Sequence, residues 1–154
     1  EVALLCDVIE HTSDDQLVLL ETHGALRPGG LVVVTVPAHA WLLTPVDDAS
    51  GHYRRYTAPQ VRRALQDAGF DVVLARYFNS LLLPFQALQR LVTRGAPLDS
   101  PAARLALVER ALRVPPGPVN AALGLVAGAD RLLARLPVSF GASIIAIGRV
   151  RASA

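Results

Sequence analysis

The sequence contains no lysine, no methionine and a single cysteine among its 154 residues. All 15 basic residues are therefore arginines, which fits the coding bias of a GC-rich genome as well as a functional choice. The lone Cys6 excludes an internal disulfide and suits a reducing compartment, so we expect a cytoplasmic protein. Because Glu1 stands where a methionine would begin translation, we expect the chain to lie inside a longer protein.

Net charge and long apolar runs are also scarce. The formal net charge is +2, which is too small to indicate a nucleic-acid partner. No apolar run approaches the roughly 18 residues that a membrane span needs, and no secretory signal is recognisable. With 52% hydrophobic and 18% charged residues, the chain is predicted to fold as a single globular unit over residues 1–154.

Short apolar runs predict strands at four places. Val2–Cys6, Leu31–Val36 and Phe70–Phe78 have the length and composition of strands. The fourth run, residues 142–150, reads ASIIAIGRV. Because Val2–Cys6 is apolar without interruption, we expect it to be buried on both faces, as strands of parallel sheets are.

Helix signals separate the first three strands. Ser13 or Asp14 can cap a helix that ends near Leu26, before the stop signal Arg-Pro-Gly-Gly. Thr57–Gln60 is a capping box that begins a second helix. Residues 38–56 are predicted to form a long polar and aromatic loop. The alternation of strands and helices predicts an α/β fold with a parallel sheet and right-handed crossovers.

Residues 80–136 interrupt this alternation before the last strand. Helices are predicted over Leu81–Val92, Pro101–Leu112 and Val119–Leu136, with Ser100 capping the second. We interpret the segment as a helical insertion or lid. Its apolar residues suit packing among the three helices, which is the simpler reading, or contact with a lipid surface.

Polar clusters follow three of the predicted strands. Asp7–His11 follows the first strand, residues 37–56 follow the second, and Asn79 follows the third. Ligands of open α/β sheets bind outside the carboxyl ends of the strands, so these clusters predict one site at one edge. No glycine-rich phosphate loop follows a strand, and no serine elbow is present.

The first cluster has two interpretations. Asp7, Glu10 and His11 could ligate a hard or borderline divalent metal through two carboxylate oxygens and one imidazole. The two carboxylates could instead satisfy loop amides or cap the following helix. The spacing of the three residues is short and irregular, and it does not decide between these interpretations.

The stretch GHYRRYT, residues 51–57, concentrates one histidine, two tyrosines and two arginines. Adjacent Arg54 and Arg55 could clamp a phosphate or a carboxylate. Alternatively, an arginine could pair with Asp47 or Asp48 and hold the loop shut. We predict the ion pair for one arginine and a ligand-binding role for the other.

Several stretches together resemble the class I S-adenosylmethionine-dependent methyltransferases. They are DVIEH after an apolar strand, LRPGGLVVVTVPA, GHYRRYT, a helix ending in DAGF, and LPVSFGASIIAIGRV. The resemblance runs from the family's fourth strand to its last. It implies a partial Rossmann-like sheet of about four strands, the last one antiparallel. It also implies S-adenosylmethionine as cofactor and methyl transfer to a small-molecule or lipid-like acceptor by a longer parent enzyme.

The resemblance assigns roles to individual residues. The cofactor's methionine end would be bordered by Cys6, Asp7, Val8 and Ile9. The acceptor would be faced by Pro37, Ala38, Trp41, Tyr53, Arg54, Arg55 and Asn79. Candidate bases are His11, His39 and His52, and a base is needed only if the acceptor atom loses a proton. Asp7, Glu10 and His11 also match the acid-x-x-Glu-His metal site of the ubiquinone-pathway O-methyltransferases.

The sequence departs from the family at the cofactor site. The family's glycine-rich loop and its acidic cofactor residue would both precede DVIEH. We therefore expect the chain alone to bind the cofactor poorly and to transfer no methyl groups. We also expect self-association through a bare edge of the first strand. Two other functions stay open: a non-enzymatic binding or scaffold module, and a lipid-surface protein with peripheral membrane contact through residues 78–92 and 119–136.

Overall fold

The computed structural model describes residues 1–95, 98–133, 136 and 138–151. Its strands are β1 (Val2–Cys6), β2 (Leu31–Pro37), β3 (Phe70–Phe78) and β4 (Ser143–Val150). Its α-helices are α1 (Asp15–Ala25), α2 (Pro45–Ala49), α3 (Ala58–Asp67), α4 (Leu83–Thr93), α5 (Pro101–Leu112) and α6 (Gly117–Leu133). Two 3-10 helices cover Ile9–His11 and Ala40–Leu42.

The four strands form one sheet in the order β1-β2-β4-β3. β1 runs parallel to β2, with Cys6 opposite Thr35. β4 runs antiparallel to both of its neighbours, so β1, β2 and β3 all point the same way. The predicted α/β sheet with an antiparallel last strand is confirmed, and that strand lies between β2 and β3.

The core lies on the sheet face that α1 and α3 cover. Alternate residues of the two central strands point to this face and are buried: Val32, Val34, Val36, Ile144 and Ala146. Leu19 of α1 and Leu65 of α3 are fully buried in the same cluster. Burial of the valine, isoleucine and leucine side chains, each contributing roughly 1.5–3 kcal/mol, fixes both helices against the sheet.

The opposite face of β1 is open. Val2 is 59% exposed and Leu4 is 66% exposed, so the prediction that β1 is buried on both faces is wrong. An apolar run shows that a strand can be buried, but it does not supply the layer that covers it. Among the described strands, β1 pairs with β2 alone, which leaves the predicted bare edge. Self-association through that edge stays a prediction.

Helix caps lie where the sequence places them. The Asp14 side chain accepts a hydrogen bond from the amide of Leu17 at 2.9 Å, and the Ser100 hydroxyl accepts one from the amide of Ala103 at 3.2 Å. Thr57 and Gln60 form the predicted capping box of α3. Each cap satisfies amides that the first helical turn leaves without partners.

The segment from residue 38 to residue 56 is more ordered than the predicted loop. It contains α2, which Thr44 and Asp47 begin with a capping box of their own. Pro45 at the first position is compatible with this start because it lacks only an amide that would have no intrahelical partner. α2 and its capping box fix the orientation of Asp47 within this segment.

The helices α4, α5 and α6 lie between β3 and β4 in the chain and contribute little to the core. No residue of α4 or α5 is buried within their described parts, and Asp130 is the buried residue of α6. Many of their residues are half-buried, and packing of the apolar side chains among these helices stays a prediction. α6 ends at Leu133, and Leu136, predicted as its last residue, lies in a bend. None of the helices in the described ranges has both the length and the apolar character that crossing a bilayer requires.

Candidate active site at the carboxyl edge of the sheet

The loops after β1 and β2 meet at one edge of the sheet, as the sequence predicts. The amide of Asp7 donates to the carbonyl of Thr35 at 3.0 Å, so the first turn after β1 lies beside the end of β2. Ala38 forms a parallel bridge with Tyr56. The amide of Tyr53 donates to the carbonyl of Glu10 at 2.8 Å and joins the GHYRRYT stretch to the first cluster.

Each of the three parallel strands is followed by a residue with a left-handed backbone. Asp7 has φ of 53°, His39 has 62° and Asn79 has 58°. Asp, Asn and His tolerate this region better than other side chains, but it remains strained compared with glycine. Strained non-glycine residues concentrate at functional sites, so the three positions mark this edge as the candidate site.

Asp47 is the electrostatic centre of the edge. Its carboxylate, 2% exposed, accepts from Arg55 at 2.9 and 3.0 Å and from the Thr44 hydroxyl at 2.6 Å, and it is 2.9 Å from His52 Nδ1. Burial alone would raise the pKa of Asp47. The hydrogen bonds from His52 and Thr44 and the charge of Arg55 outweigh burial and lower that pKa to about 2.

Arg55 forms the predicted ion pair, and Arg54 is held by the protein as well. The Arg54 guanidinium donates to Asp15 at 3.1 Å and to the carbonyl of Ser13 at 2.7 Å. The buried Tyr56 hydroxyl donates to the same Asp15 at 2.7 Å. Burial, followed by the bond to Asp15 and its charge, raises the pKa of Tyr56. These contacts do not test the predicted role of Arg54 in acceptor binding, so that role stays a prediction.

Glu10 is the buried member of a small cluster that it forms with His11 and His52. One ligating atom from each residue lies within 4.8 Å of the others, and the two imidazole rings meet edge to face at 4.5 Å. Burial is the main cause that raises the pKa of Glu10. Asp7, the third residue of the predicted metal set, lies outside this group and accepts from the Thr35 hydroxyl at 3.4 Å. The structure thus joins two of the predicted ligands with His52.

His39 lies away from that cluster, at the end of β2. Its ring stacks on Tyr77 with centroids 5.1 Å apart and planes 7° apart. Its Nε2 atom is buried and has no hydrogen-bond partner among the described residues. Trp41, 53% exposed, lies 5.9 Å from it, centroid to centroid. Asn79, which follows β3, donates instead to the Ser143 hydroxyl at 3.3 Å.

An apolar groove of about 910 Å³ opens next to this edge, and sequence reasoning missed it. Its lining includes Val46, Phe85, Leu88, Val92, Ala103 and Leu107. Val46 precedes Asp47 on α2, and Gln86 of α4 accepts from Arg55 at 3.3 Å. The groove and the polar edge therefore share the α2–α4 wall. The apolar positions of α4 and α5 were visible in the sequence, but which partner each helix would face was not.

Comparison with known proteins places the fold. No family model and no curated protein matches the chain. Several solved structures are similar to it. They include a Galdieria sulphuraria protein assigned as a sarcosine dimethylglycine methyltransferase (12% identity, TM-score 0.53) and a Haloferax volcanii protein assigned as a methyltransferase, in complex with the Trm112 activator (17%, 0.51). A SAM-dependent methyltransferase from Archaeoglobus fulgidus is similar as well (13%, 0.50). They cover 99%, 99% and 96% of this chain. The chain has the class I methyltransferase fold.

The chain spans about half of the structures that it matches, 53%, 54% and 58% of their lengths in the same order. At these identities the similarity shows the methyltransferase fold alone, because one fold can carry unrelated functions. The activity therefore has to be inferred from the side chains at the edge.

The residues predicted to border the cofactor differ in accessibility within this methyltransferase fold. Cys6 is exposed with a free thiol, and Val8 is 36% exposed. Ile9 is fully buried in the core, so its side chain supports the turn and only its backbone can face a ligand. Among the residues predicted to face the acceptor, Ala38 is buried in the same core, whereas Tyr53 is 63% exposed.

Proposed function

We propose that this chain forms the acceptor-binding half of an enzyme that transfers a methyl group from S-adenosylmethionine to an apolar, lipid-like small molecule. The observation that carries the proposal is the apolar groove beside the polar edge of a methyltransferase fold. Pockets for small molecules are concave and mostly apolar, with a few polar groups that fix orientation. The groove would hold the apolar body of the acceptor, and the edge would hold its polar head.

Methyl transfer from a sulfonium centre is an in-line displacement, so the enzyme works mainly by positioning donor and acceptor. A base is required where the acceptor atom carries a proton that must leave. We assign that role to His39, because its buried Nε2 has no partner among the described residues and its ring is fixed by Tyr77. His11 and His52 belong instead to the cluster around Glu10.

A radiolabel experiment tests this proposal. The protein is purified from its native source and incubated with methyl-tritiated S-adenosylmethionine. One reaction contains the lipid fraction of the source cells, and a second contains their water-soluble fraction. We expect label in a product that partitions into the organic phase. Leu88→Arg, inside the groove, should raise the KM for that acceptor, whereas Leu125→Arg, exposed on α6 outside the groove lining, should not. Label in neither fraction would contradict methyl transfer, and label in water-soluble products alone would contradict the lipid-like acceptor.

The two neighbouring arginines should differ when each is replaced. In the parent enzyme, Arg55→Ala is expected to lower both turnover and melting temperature, because Arg55 joins buried Asp47 to α4. Arg54→Ala should lower turnover with a smaller loss of stability, since its side chain is 37% exposed. Steady-state kinetics and thermal melts of both variants test this. Unchanged kinetics and unchanged melting temperature in both would refute a role for the pair.

A second candidate function is binding to a lipid surface without chemistry. The helices α4–α6 expose many large apolar side chains, among them Leu91, Val92, Leu105, Leu112 and Leu125. Exposed arginines, Arg94, Arg110 and Arg113, accompany them. Apolar side chains together with cations are typical of proteins that lie on anionic bilayers. Co-sedimentation with anionic vesicles and no methyl product in the radiolabel experiment would favour this function.

A further inference from the structure

We propose that Glu10, His11 and His52 bind one borderline divalent transition-metal ion of the zinc class. The proposal is independent of methyl transfer, because it concerns a binding site that the three side chains build by themselves. It differs from the metal set suggested by the sequence, in which Asp7 took the place of His52.

The first observation is an unsatisfied buried carboxylate. Glu10 is fully buried, and neither of its carboxylate oxygens has a hydrogen-bond partner among the described residues. Buried polar groups in folded proteins are nearly always paired, and an unpaired carboxylate is especially unfavourable. A cation within reach of both oxygens would satisfy the group.

The second observation is that two imidazoles surround this carboxylate. The ligating atoms of Glu10, His11 and His52 all lie within 4.8 Å of one another. Two ligands of one zinc ion, each about 2.1 Å from it, are at most about 4.2 Å apart. Capture of an ion therefore requires an inward shift of roughly half an ångström. Exposed His11 can make that movement without disturbing the core.

The third observation is the orientation of His52. Its Nδ1 lies 2.9 Å from the Asp47 carboxylate, which leaves Nε2 with the free lone pair. Histidines that bind metals typically donate their other ring N–H to a carboxylate in this way. Asp47 is itself fixed by Arg55 and by the Thr44 capping box. His52 thus has a fixed carboxylate partner on the ring nitrogen that would not bind the metal, as metal-binding histidines typically have.

The donor atoms select the kind of metal. Two nitrogens and one carboxylate oxygen suit zinc and neighbouring transition ions, whereas magnesium and calcium prefer all-oxygen sites. Three protein ligands leave at least one coordination position for water or another ligand. That position would open toward solvent on the side of His11, the exposed member of the cluster.

Calorimetric titration of the full chain with Zn²⁺ tests the proposal. Cys6→Ser serves as the background, because the free, exposed thiol of Cys6 could itself bind zinc. We expect one ion per chain. Glu10→Gln and His11→Gln should each weaken binding by at least the roughly 10- to 100-fold that loss of an outer partner produces. Glu21→Gln and His23→Gln are matched controls that should bind zinc like the background, because neither side chain belongs to the cluster.

Thermal melts provide a second readout that a purely structural cluster would not show. Zn²⁺ should raise the melting temperature of the background chain, and Mg²⁺ should not. Glu10→Gln should melt at or above the background temperature without metal, since a buried neutral amide is less unfavourable than a carboxylate, and it should lose the zinc-induced rise. Unchanged zinc affinity in Glu10→Gln and His11→Gln, an equal loss in Glu21→Gln, or an equal rise with Mg²⁺ would overturn the proposal.

Discussion

Replacement of Asp47 by asparagine is expected to lower the free energy of unfolding by about 3–5 kcal/mol. The wild-type carboxylate is buried and accepts from Arg55 and Thr44, with His52 Nδ1 at hydrogen-bond distance. An asparagine amide would turn an NH₂ group toward some of these donors and would leave the buried guanidinium of Arg55 without a counter-charge. Such a loss is a large share of the 5–15 kcal/mol typical of a domain.

Asp48→Asn is the matched control for this prediction, because it makes the same chemical change one residue later on α2. The Asp48 side chain is 57% exposed and pairs with Arg104 at 3.4 Å. Exposed ion pairs contribute about 0–1 kcal/mol, so this variant should remain near wild type. Urea unfolding of both variants measures the difference. Equal stability of the two would mean that the Asp47 network does not stabilise the fold.

His39→Gln is expected to lower the turnover of the parent enzyme by about 10²- to 10⁴-fold, the range that a positioned base contributes. The prediction rests on the proposed methyl transfer and on the unpartnered Nε2 of His39. Glutamine is polar and of similar length but cannot take up a proton at neutral pH. Binding of S-adenosylmethionine should be retained, because the change removes only the proton acceptor.

A pH–rate profile separates this chemical role from a structural one. Loss of the base should abolish the rise of turnover with pH, whereas a packing defect would lower the whole profile without changing its shape. His23→Gln is the control, since His23 packs edge to face on Phe70 at 4.9 Å, near the start of β3. A profile of unchanged shape in His39→Gln would exclude His39 as the base.

Most elements of this fold were predictable because their signals are local. β3 and α5 have the bounds that the sequence predicts, and the caps at Asp14, Thr57 and Ser100 form as expected. α2 was missed although Thr44 and Asp47 carry its capping signal, because a helix of five residues has too few positions to show a periodicity.

The candidate site was predictable only in part, because its contacts are distant in sequence. The edge itself followed from the parallel order of the strands. The meeting of Glu10 with His52 depends on how residues 38–56 fold back over the turn after β1, which no local pattern specifies. The exposure of Val2 and Leu4 could not be predicted for a related reason. Hydrophobicity identifies a side chain that can be buried, but the fold decides whether another layer covers it.

The position of β4 in the sheet has a consequence for how the protein is made on the ribosome. Among the described strands, β3 pairs with β4 alone, and residues 79–142 separate the two in the chain. β1 and β2 can pair early in synthesis, but β3 meets β4, its partner among the described strands, only after residue 150 has emerged. During that interval its apolar edge is available to chaperones and to other nascent chains. The slowest step of folding should therefore be the insertion of β4 between two strands that are already made, a contact of high sequence separation that completes the sheet last.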